Sequence, residues 1–282
     1  MIEILLDGTL HSSLDWKQHF AIADAADHIL WNIDLGLFSK LPQPLNSISQ
    51  YHSLKLSLDH FCNTLWTKYR EKTVGLCLYK GCADFSQNFP WDEEQEKNLQ
   101  AWLKRGFEDI SIFNDETGIN TQNFEHIHHI MLKGSQTLRL FCRDVAGEYL
   151  DLLSGYLPEG LEAYISLDTE PLRDPLYIAQ LTTKERYPHL RMIIDGKSEQ
   201  EVPVAVCLPA MDLIRPSVYK PFSSIFQKLH SEKTPYRIIP EAFLTAEWHG
   251  VDILYVVKSA LSPQGERKLQ GFRASGGTVI LV

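Results

Sequence analysis

Glu162-Ala-Tyr-Ile-Ser-Leu-Asp-Thr-Glu-Pro-Leu-Arg-Asp-Pro175 is the stretch of sequence that decides the fold. Its apolar first part, Ala163–Leu167, predicts a buried strand that ends at the carboxylate of Asp168. Two prolines follow and prevent the strand from continuing. If the extended backbone reaches Glu170, the side chains of Asp168 and Glu170 point the same way, with Cα atoms roughly 6–7 Å apart. The two carboxylates would then face one space.

Other short apolar runs in the chain also lead to an aspartate. Three end directly on one, in Ile-Leu-Leu-Asp7, Trp-Asn-Ile-Asp34 and Met-Ile-Ile-Asp195, and a further run, Val74–Tyr79, is followed a few residues later by Asp84. Helical periodicity between the runs predicts a mainly parallel sheet covered by helices. Because the carboxyl ends of parallel strands share one edge, the sequence predicts that these aspartates converge on one mouth.

Strand and helix patterns alternate along the whole chain. The predicted strands are Ile2–Leu6, Ile29–Leu35, Val74–Tyr79, Ala163–Leu167, Leu190–Ile194, Val202–Leu208, Tyr236–Ile239, Val251–Val257 and Thr278–Val282. The predicted helices are Leu14–Ala26, Tyr51–Glu71, Trp91–Arg105, Ser135–Leu157, Leu176–Arg186, Val218–Lys228 and Pro263–Ala274. Within the less regular segment 108–133, Ile110–Phe113 is interpreted as a strand. The polar, turn-like segment 195–201 predicts a boundary between a first domain, 1–198, and a second, 199–282.

Composition limits the classes of partner. The 282 residues are 44% hydrophobic and carry a formal net charge of −9 without a dense basic run, so we expect no nucleic-acid or membrane partner. The chain begins with a strand and not a signal peptide, and no apolar run approaches the roughly 20 residues of a membrane span. The five cysteines are scattered and odd in number. Reduced core cysteines in a cytoplasmic protein explain them best.

The C-terminal part resembles a known domain. Gly250-Val-Asp-Ile-Leu-Tyr-Val-Val257, then Ala260-Leu-Ser-Pro263, then Glu266-Arg-Lys-Leu-Gln-Gly-Phe-Arg-Ala-Ser-Gly-Gly-Thr-Val-Ile-Leu-Val282 give a strand, a small-residue turn, a helix, Gly-Gly and a final strand. This pattern is similar to the class I amidotransferase-like domain, known as the trimerisation domain, that follows the catalytic barrel in family 42 β-galactosidases. The Gly276-Gly277 pair suits a helix that turns sharply into the last strand.

The resemblance implies a glycosidase-like (β/α) TIM-like barrel in residues 1–198, followed by a flavodoxin/amidotransferase-like α/β domain that allows a homo-oligomer. A full barrel takes about 250 residues. Six predicted strands precede Asp195, so we expect a reduced barrel. Amidotransferase activity is not expected, because Cys207 lies within or near the end of a strand and lacks a glycine elbow.

Glycoside hydrolysis needs two carboxyl groups, roughly 5–5.5 Å apart for retention and about 6.5–9.5 Å apart for inversion. Asp168 and Glu170 are the predicted catalytic pair, although one of them could instead pair with Asp34 or Asp195 across the mouth. One of them would need a raised pKa, helped by the aromatic cover of Tyr164 or Trp31. The alternative is structural, since both carboxylates could cap the next helix or pair with Arg173.

Further polar residues at the same edge are predicted to bind a small-molecule or carbohydrate ligand: Asp7, Asp34, Tyr79, Lys80, Asp84 and Asp195. Aspartate is also a common turn-former at strand ends, so each of the four could instead be structural. Trp31 and Trp91 could stack on a sugar ring or belong to the core.

No cofactor or metal is predicted. The histidine cluster Glu125-His-Ile-His-His129 could bind a metal, yet it lacks the His-Glu-x-x-His spacing and also suits a solvated helix start. Neither a Gly-x-Gly-x-x-Gly nor a Walker motif is present. The sequence thus indicates a carbohydrate-active protein, either a glycoside hydrolase or a non-catalytic sugar-binding or assembly scaffold. A metal-dependent hydrolase using the strand-end aspartates is a third interpretation.

Overall fold

The computed structural model describes residues 2–6, 17–33, 55–56, 58–82, 84–168, 189–194, 202–209 and 214–282. These residues form a mixed α/β structure with two parallel sheets. They divide into two compact units: the first lies within 1–95, 142–173 and 184–196, and the second within 96–141, 174–183 and 197–282. The predicted helix Leu176–Arg186 lies outside the described residues. Among the helices in these ranges, none combines the length and apolarity needed to span a bilayer.

The first sheet follows the order of the chain. Its described strands are β1, Ile2–Leu6; β2, Ile29–Ile33; β3, Thr73–Cys82; β4, Ala163–Asp168; and β5, Leu190–Ile194. They lie side by side as β1-β2-β3-β4-β5, and every neighbouring pair is parallel. Consecutive parallel strands in chain order are the arrangement of a (β/α) barrel. The sequence predicted all five, although β3 is longer than expected.

Helices lie between the strands of the first sheet, and several of them lie in the long segment between β3 and β4. They are α1, Lys17–Ala25; a π-helical turn, Cys62–Trp66, that continues into α2, Thr67–Tyr69; α3, Glu93–Phe107; α4, Ile110–Thr117; and α5, Gln136–Ser154. Residues of α3 and α5 belong to both units. In the sequence, the domain boundary predicted after residue 198 lies after the last described strand of the first sheet and before the first strand of the second sheet. That this position separates two domains stays a prediction.

The predicted strand Ile110–Phe113 is wrong, because these residues open the helix α4. The helix has a signal at each end. Asp109 caps its start by accepting the Ser111 N–H at 2.7 Å, and Gly118 ends it with a left-handed φ of 74°. Capping therefore outweighs the β-branched composition of the first turn.

The second sheet is wound in two directions. Its described strands are β6, Val204–Leu208; β7, Arg237–Pro240; β8, Ile253–Val256; and β9, Thr278–Leu281, in the parallel order β7-β6-β8-β9. The helices are α6, Pro216–Ser231; α7, Leu244–Glu247; and α8, Pro263–Ala274. The chain runs outward from β6 to β7 and then crosses back to β8. The order of the sheet therefore reverses between β6 and β8, as in doubly wound folds.

Both faces of the second sheet are covered. The Nζ of Lys228 on α6 lies 5.6 Å from the centre of the Tyr255 ring. On the other face, Leu254 packs in one cluster with Leu269 and Phe272 of α8. Burial on two faces explains why β6 and β8 are continuous apolar runs in the sequence.

The Gly276-Gly277 pair ends α8 as predicted. Gly276 has a φ of 98°, and its N–H donates to the Arg273 carbonyl at 3.1 Å. The Gly277 N–H donates to the Phe272 carbonyl at 3.0 Å. These two bonds form a Schellman motif, and they turn the chain directly into β9.

Gly75 in β3 provides a test of packing in the first sheet. A Cβ built on Gly75 would overlap the Tyr164 ring of β4, so Gly75→Ala forces the ring or the strand to move. We expect the free energy of unfolding to fall by about 1–3 kcal/mol, measured by urea denaturation. Gly155→Ala is the matched control, because its Cβ would meet the Leu152 carbonyl oxygen only at 3.4 Å.

Adding Tyr164→Ala to Gly75→Ala identifies the cause. Because the same Cβ would also lie 2.7 Å from the Glu162 carbonyl oxygen, removal of the ring should lower the additional cost of Gly75→Ala only in part. Equal costs with and without the ring would show that the loss comes from the approach of the Cβ to the Glu162 carbonyl and not from the ring.

Candidate functional site

The carboxyl edge of the first sheet is the candidate functional site. Because β1 to β5 are parallel, their last residues lie along one edge. In the register of β3 and β4, Cys82 pairs with Asp168, and Asp84 follows two residues beyond Cys82. The structure therefore brings the backbone of Asp168 next to the strand that leads into Asp84.

Four other predicted site residues lie outside the described residues: Asp7, Asp34, Glu170 and Asp195. In the sequence, Asp7, Asp34 and Asp195 each follow directly on the last residue of β1, β2 or β5. Their roles, and the pairing of Glu170 with Asp168, stay predictions.

Tyr79 and Lys80 lie near the carboxyl end of β3. The half-buried Tyr79 ring packs against Phe85 with ring centroids 5.2 Å apart. A Cβ on Gly81 would lie 2.9 Å from the Tyr79 hydroxyl, so the ring extends along the strand toward the carboxyl edge. Lys80 is exposed, and as the next residue of the strand it points to the opposite face. The side chains of Tyr79 and Lys80 therefore lie on opposite faces of the sheet.

Asp84 forms the turn that follows β3. Its Oδ1 accepts the Ser86 N–H at 3.1 Å and the Ser86 hydroxyl at 2.6 Å, which caps a short helical turn, Phe85–Asn88. Burial, and after it the charge of Asp84, raises the pKa of the Cys142 thiol well above its ordinary value. Asp84 thus lies near α5 and has the turn-forming role that the sequence left open beside ligand binding.

The rest of the loop between β3 and α3 is aromatic and ends at a buried amide. Phe89 and the half-buried Trp91 have ring centroids 4.8 Å apart. Asp92 then caps α3 by accepting the Gln95 N–H at 2.7 Å. The Gln95 side chain is 0% exposed, and neither its amide nitrogen nor its amide oxygen has a hydrogen-bond partner. Sequence reasoning missed this residue, although a glutamine three positions after a capping aspartate is a recognised helix-start signal.

A second buried polar group lies on α5. Arg143 Nε and Nη2 donate to Asp144 Oδ1 at 2.9 and 2.7 Å, and both side chains are almost completely buried. Charged neighbours in a helix are usually solvated. The structure shows instead an ion pair inside the first unit, next to Cys142.

The two rings proposed as cover for a catalytic carboxyl lie toward the opposite edge. Trp31 is completely buried, and its Nε1 donates at 3.0 Å to the hydroxyl of Thr73, the first residue of β3. The Tyr164 hydroxyl donates at 2.6 Å to Glu162, which precedes β4. Both rings therefore extend to the amino edge of the sheet, and Trp31 is a core residue.

The histidine cluster forms short helical turns in place of a longer helix start. His129 Nδ1 bonds to Glu96 Oε1, and the His129 N–H donates to Glu96 Oε2 at 3.1 Å. His128 Nδ1 lies 3.8 Å from the same carboxylate. Throughout the part of the chain that the structure describes, no group of three His, Cys, Asp or Glu side chains is placed to hold a metal ion.

Cys207 lies within β6 and is buried. Burial, and after it the charge of Glu241, raises the pKa of its thiol to about 12. A nucleophilic cysteine needs a lowered pKa, so burial opposes formation of the thiolate at Cys207.

Comparison with known proteins identifies the fold. No protein-family model matches the sequence, and no curated protein matches it. Among solved structures, the β-galactosidase from the psychrophilic Marinomonas ef1 matches with a TM-score of 0.56 at 8% identity, over 98% of this chain and 71% of that one. The apo exo-carrageenase GH42 from Bacteroides ovatus matches with a TM-score of 0.48 at 11% identity, over 99% of this chain and 61% of that one.

The similarity to the β-galactosidase concerns the fold. Together with the consecutive parallel order of β1 to β5, it confirms the expected glycoside hydrolase-like α/β fold. At 8% identity it does not extend to activity. The amidotransferase-like character of the second sheet stays a prediction.

The turn formed by Asp84 can be tested by its removal. Asp84→Ala leaves the Ser86 N–H and hydroxyl without their acceptor, so we expect the free energy of unfolding to fall by about 0.5–2 kcal/mol. Urea denaturation measures this change. Asp92→Ala is the matched control for a cap of the same type, and both variants should lose similar amounts. An unchanged stability of Asp84→Ala alone would contradict a structural role.

Proposed function

We propose that this chain is a carbohydrate-active protein that binds a sugar at the carboxyl edge of the first sheet. The observation that carries the proposal is the register of β3 and β4, which places Asp168 beside the strand leading to Asp84 in a fold shared with a β-galactosidase. In parallel barrels and open sheets, the loops at this edge carry the chemistry. Half-buried Tyr79 and Trp91 add aromatic surface of the kind that stacks on sugar rings.

In this proposal, Asp168 and Glu170 are the pair that hydrolyses a glycosidic bond. One carboxyl protonates the leaving oxygen, and the other acts as nucleophile or activates a water. The proposal assigns the binding of sugar hydroxyls to Asp7, Asp34 and Asp195, which follow β1, β2 and β5 in the sequence. The acid needs a raised pKa, and the aromatic loop after β3 is the part of the described chain that can supply apolar cover.

A second candidate is a non-catalytic protein that keeps the fold as a sugar-binding or assembly scaffold. The hydrogen bonds from Ser86 to Asp84 favour it, because they give a strand-end carboxylate a structural task. The positions of Trp31 and Tyr164 favour it as well, since both rings extend away from the carboxyl edge.

Hydrolysis of a panel of aryl glycosides distinguishes the two candidates. We expect the wild-type chain to hydrolyse at least one, and Asp168→Asn and Glu170→Gln each to lower kcat roughly 10²–10⁴-fold, because each removes a group that transfers a proton or forms a bond in the transition state. Both substitutions keep side-chain volume. Asp92→Asn is the control, because it alters a carboxylate of the same region that has a capping role.

Activity that survives in both variants would place the catalytic groups elsewhere. If no glycoside is hydrolysed, sugar binding is measured by the shift in thermal midpoint with free mono- and oligosaccharides. A shift that Asp168→Asn abolishes supports the non-catalytic candidate. The absence of both turnover and binding would refute the carbohydrate proposal.

A further inference from the structure

A buried carboxylate lies at the carboxyl edge of the second sheet. Glu241 directly follows β7 and begins a short helical turn, Glu241–Phe243. Only 3% of the residue is exposed. An isolated buried carboxylate is strongly unfavourable, so the surrounding groups must stabilise its charge.

The start of α8 holds this carboxylate. Glu241 Oε2 accepts the Ser262 N–H at 3.3 Å, and Glu241 Oε1 accepts the Ser262 hydroxyl. The same hydroxyl oxygen accepts the Gly265 N–H at 3.0 Å as the cap of the helix. The carboxylate is thus bound through backbone and side-chain donors at the positive end of a 12-residue helix, where anions are favoured.

Sheet topology places this contact over the end of β6. Glu241 follows β7 and Ser262 follows β8, and these two strands lie on opposite sides of β6. Their contact therefore crosses the carboxyl end of β6. Consistent with this position, the charge of Glu241 acts on Cys207 inside β6. The order of the sheet reverses between β6 and β8, and open α/β sheets bind ligands in the crevice at such a point.

The fit around the carboxylate is close. A Cβ on Gly265 would lie 2.5 Å from Glu241 Oε1, so a side chain at this position would collide with the carboxylate. Lys268 Nζ donates to the backbone carbonyls of Glu241 and Ala242 at 2.9 and 2.7 Å. The helix α8 therefore holds both the side chain and the backbone of the turn after β7.

We propose that the carboxyl-edge crevice of the second sheet is a carboxylate-binding site that the chain occupies with its own Glu241 side chain. An external monocarboxylate binds there only when that side chain has been shortened. This proposal concerns the second sheet alone and does not depend on the proposed function.

The size of the missing group gives the proposal a specific ligand. Glu241→Ala removes one methylene carbon, the carboxyl carbon and two oxygens, which are together the heavy atoms of acetate. Formate lacks the carbon that replaces the methylene group, and propionate has one carbon too many for a space of this size. Acetate should therefore bind more tightly than either of them.

The experiment measures the unfolding of the full-length Glu241→Ala chain by urea at increasing acetate, with chloride used to keep ionic strength constant. We expect lower stability than wild type in chloride and a saturable recovery in acetate. The unfolding equilibrium constant should fall about tenfold when acetate reaches ten times its Kd. Formate and propionate should have smaller effects.

Three controls separate a site from a general salt effect. Wild type and Glu241→Gln keep the crevice filled, so acetate should not stabilise either of them more than chloride does. Glu266→Ala removes an exposed carboxylate from the first turn of the same helix and should show no acetate-specific recovery. If Glu241→Ala does not fold in chloride, recovery of its circular dichroism on addition of acetate is the equivalent measurement.

Equal stabilisation of all four proteins by acetate would overturn the proposal. So would a Glu241→Ala chain that responds to acetate no more than to chloride, or a failure of acetate to restore folding. Saturable, acetate-selective recovery confined to Glu241→Ala is the outcome that supports it.

Discussion

Parallel pairing of every described strand is the constraint on which the rest of this structure depends. A parallel sheet gathers all of its carboxyl ends at one edge and needs cover on both faces. Loops that leave this edge therefore meet one another, whatever their separation in sequence. In the first sheet the edge brings the backbone of Asp168 beside the strand that leads to Asp84. In the second it brings Glu241 to Ser262 across the end of β6.

The buried polar groups described in this chain differ in how many hydrogen-bond partners they have. Which partners are available depends on the position of each group in the fold. Glu241 has donors for both oxygens and lies at a helix start, so its burial contributes to the stability of the second sheet. Arg143 and Asp144 neutralise each other within α5. Within the described part of the chain, the side-chain amide of Gln95 has no hydrogen-bond partner, which costs about 1–3 kcal/mol relative to a satisfied group. Unsatisfied buried groups are rare in stable proteins, and this one lies at the end of the loop that leaves the candidate site.

Most of the fold could be predicted from sequence because buried parallel strands are continuous apolar runs, and because caps such as Ser262 and Gly276 mark the ends of α8. The helix α4 could not, since its composition favours a strand and only the flanking Asp109 and Gly118 indicate a helix. The aspartates at strand ends could be predicted, because each one comes at the end of an apolar run or shortly after it in the sequence. Glu241 was not, since its partner is 21 residues away in sequence and only the strand order brings them together.

Under the proposed function, the loop between β3 and α3 has to supply the surroundings of the acid catalyst. An acid catalyst needs apolar cover to raise its pKa, together with access for a sugar. Trp31 and Tyr164 extend toward the amino edge, so they do not lie at the carboxyl edge where β4 ends. Tyr79, near the end of β3, packs against Phe85 of this loop, and Phe89 packs against Trp91. The strand β3 is in register with β4 up to Asp168. Among the described residues at this edge, these rings are therefore the ones that the proposed function assigns to cover the acid and to contact a sugar ring.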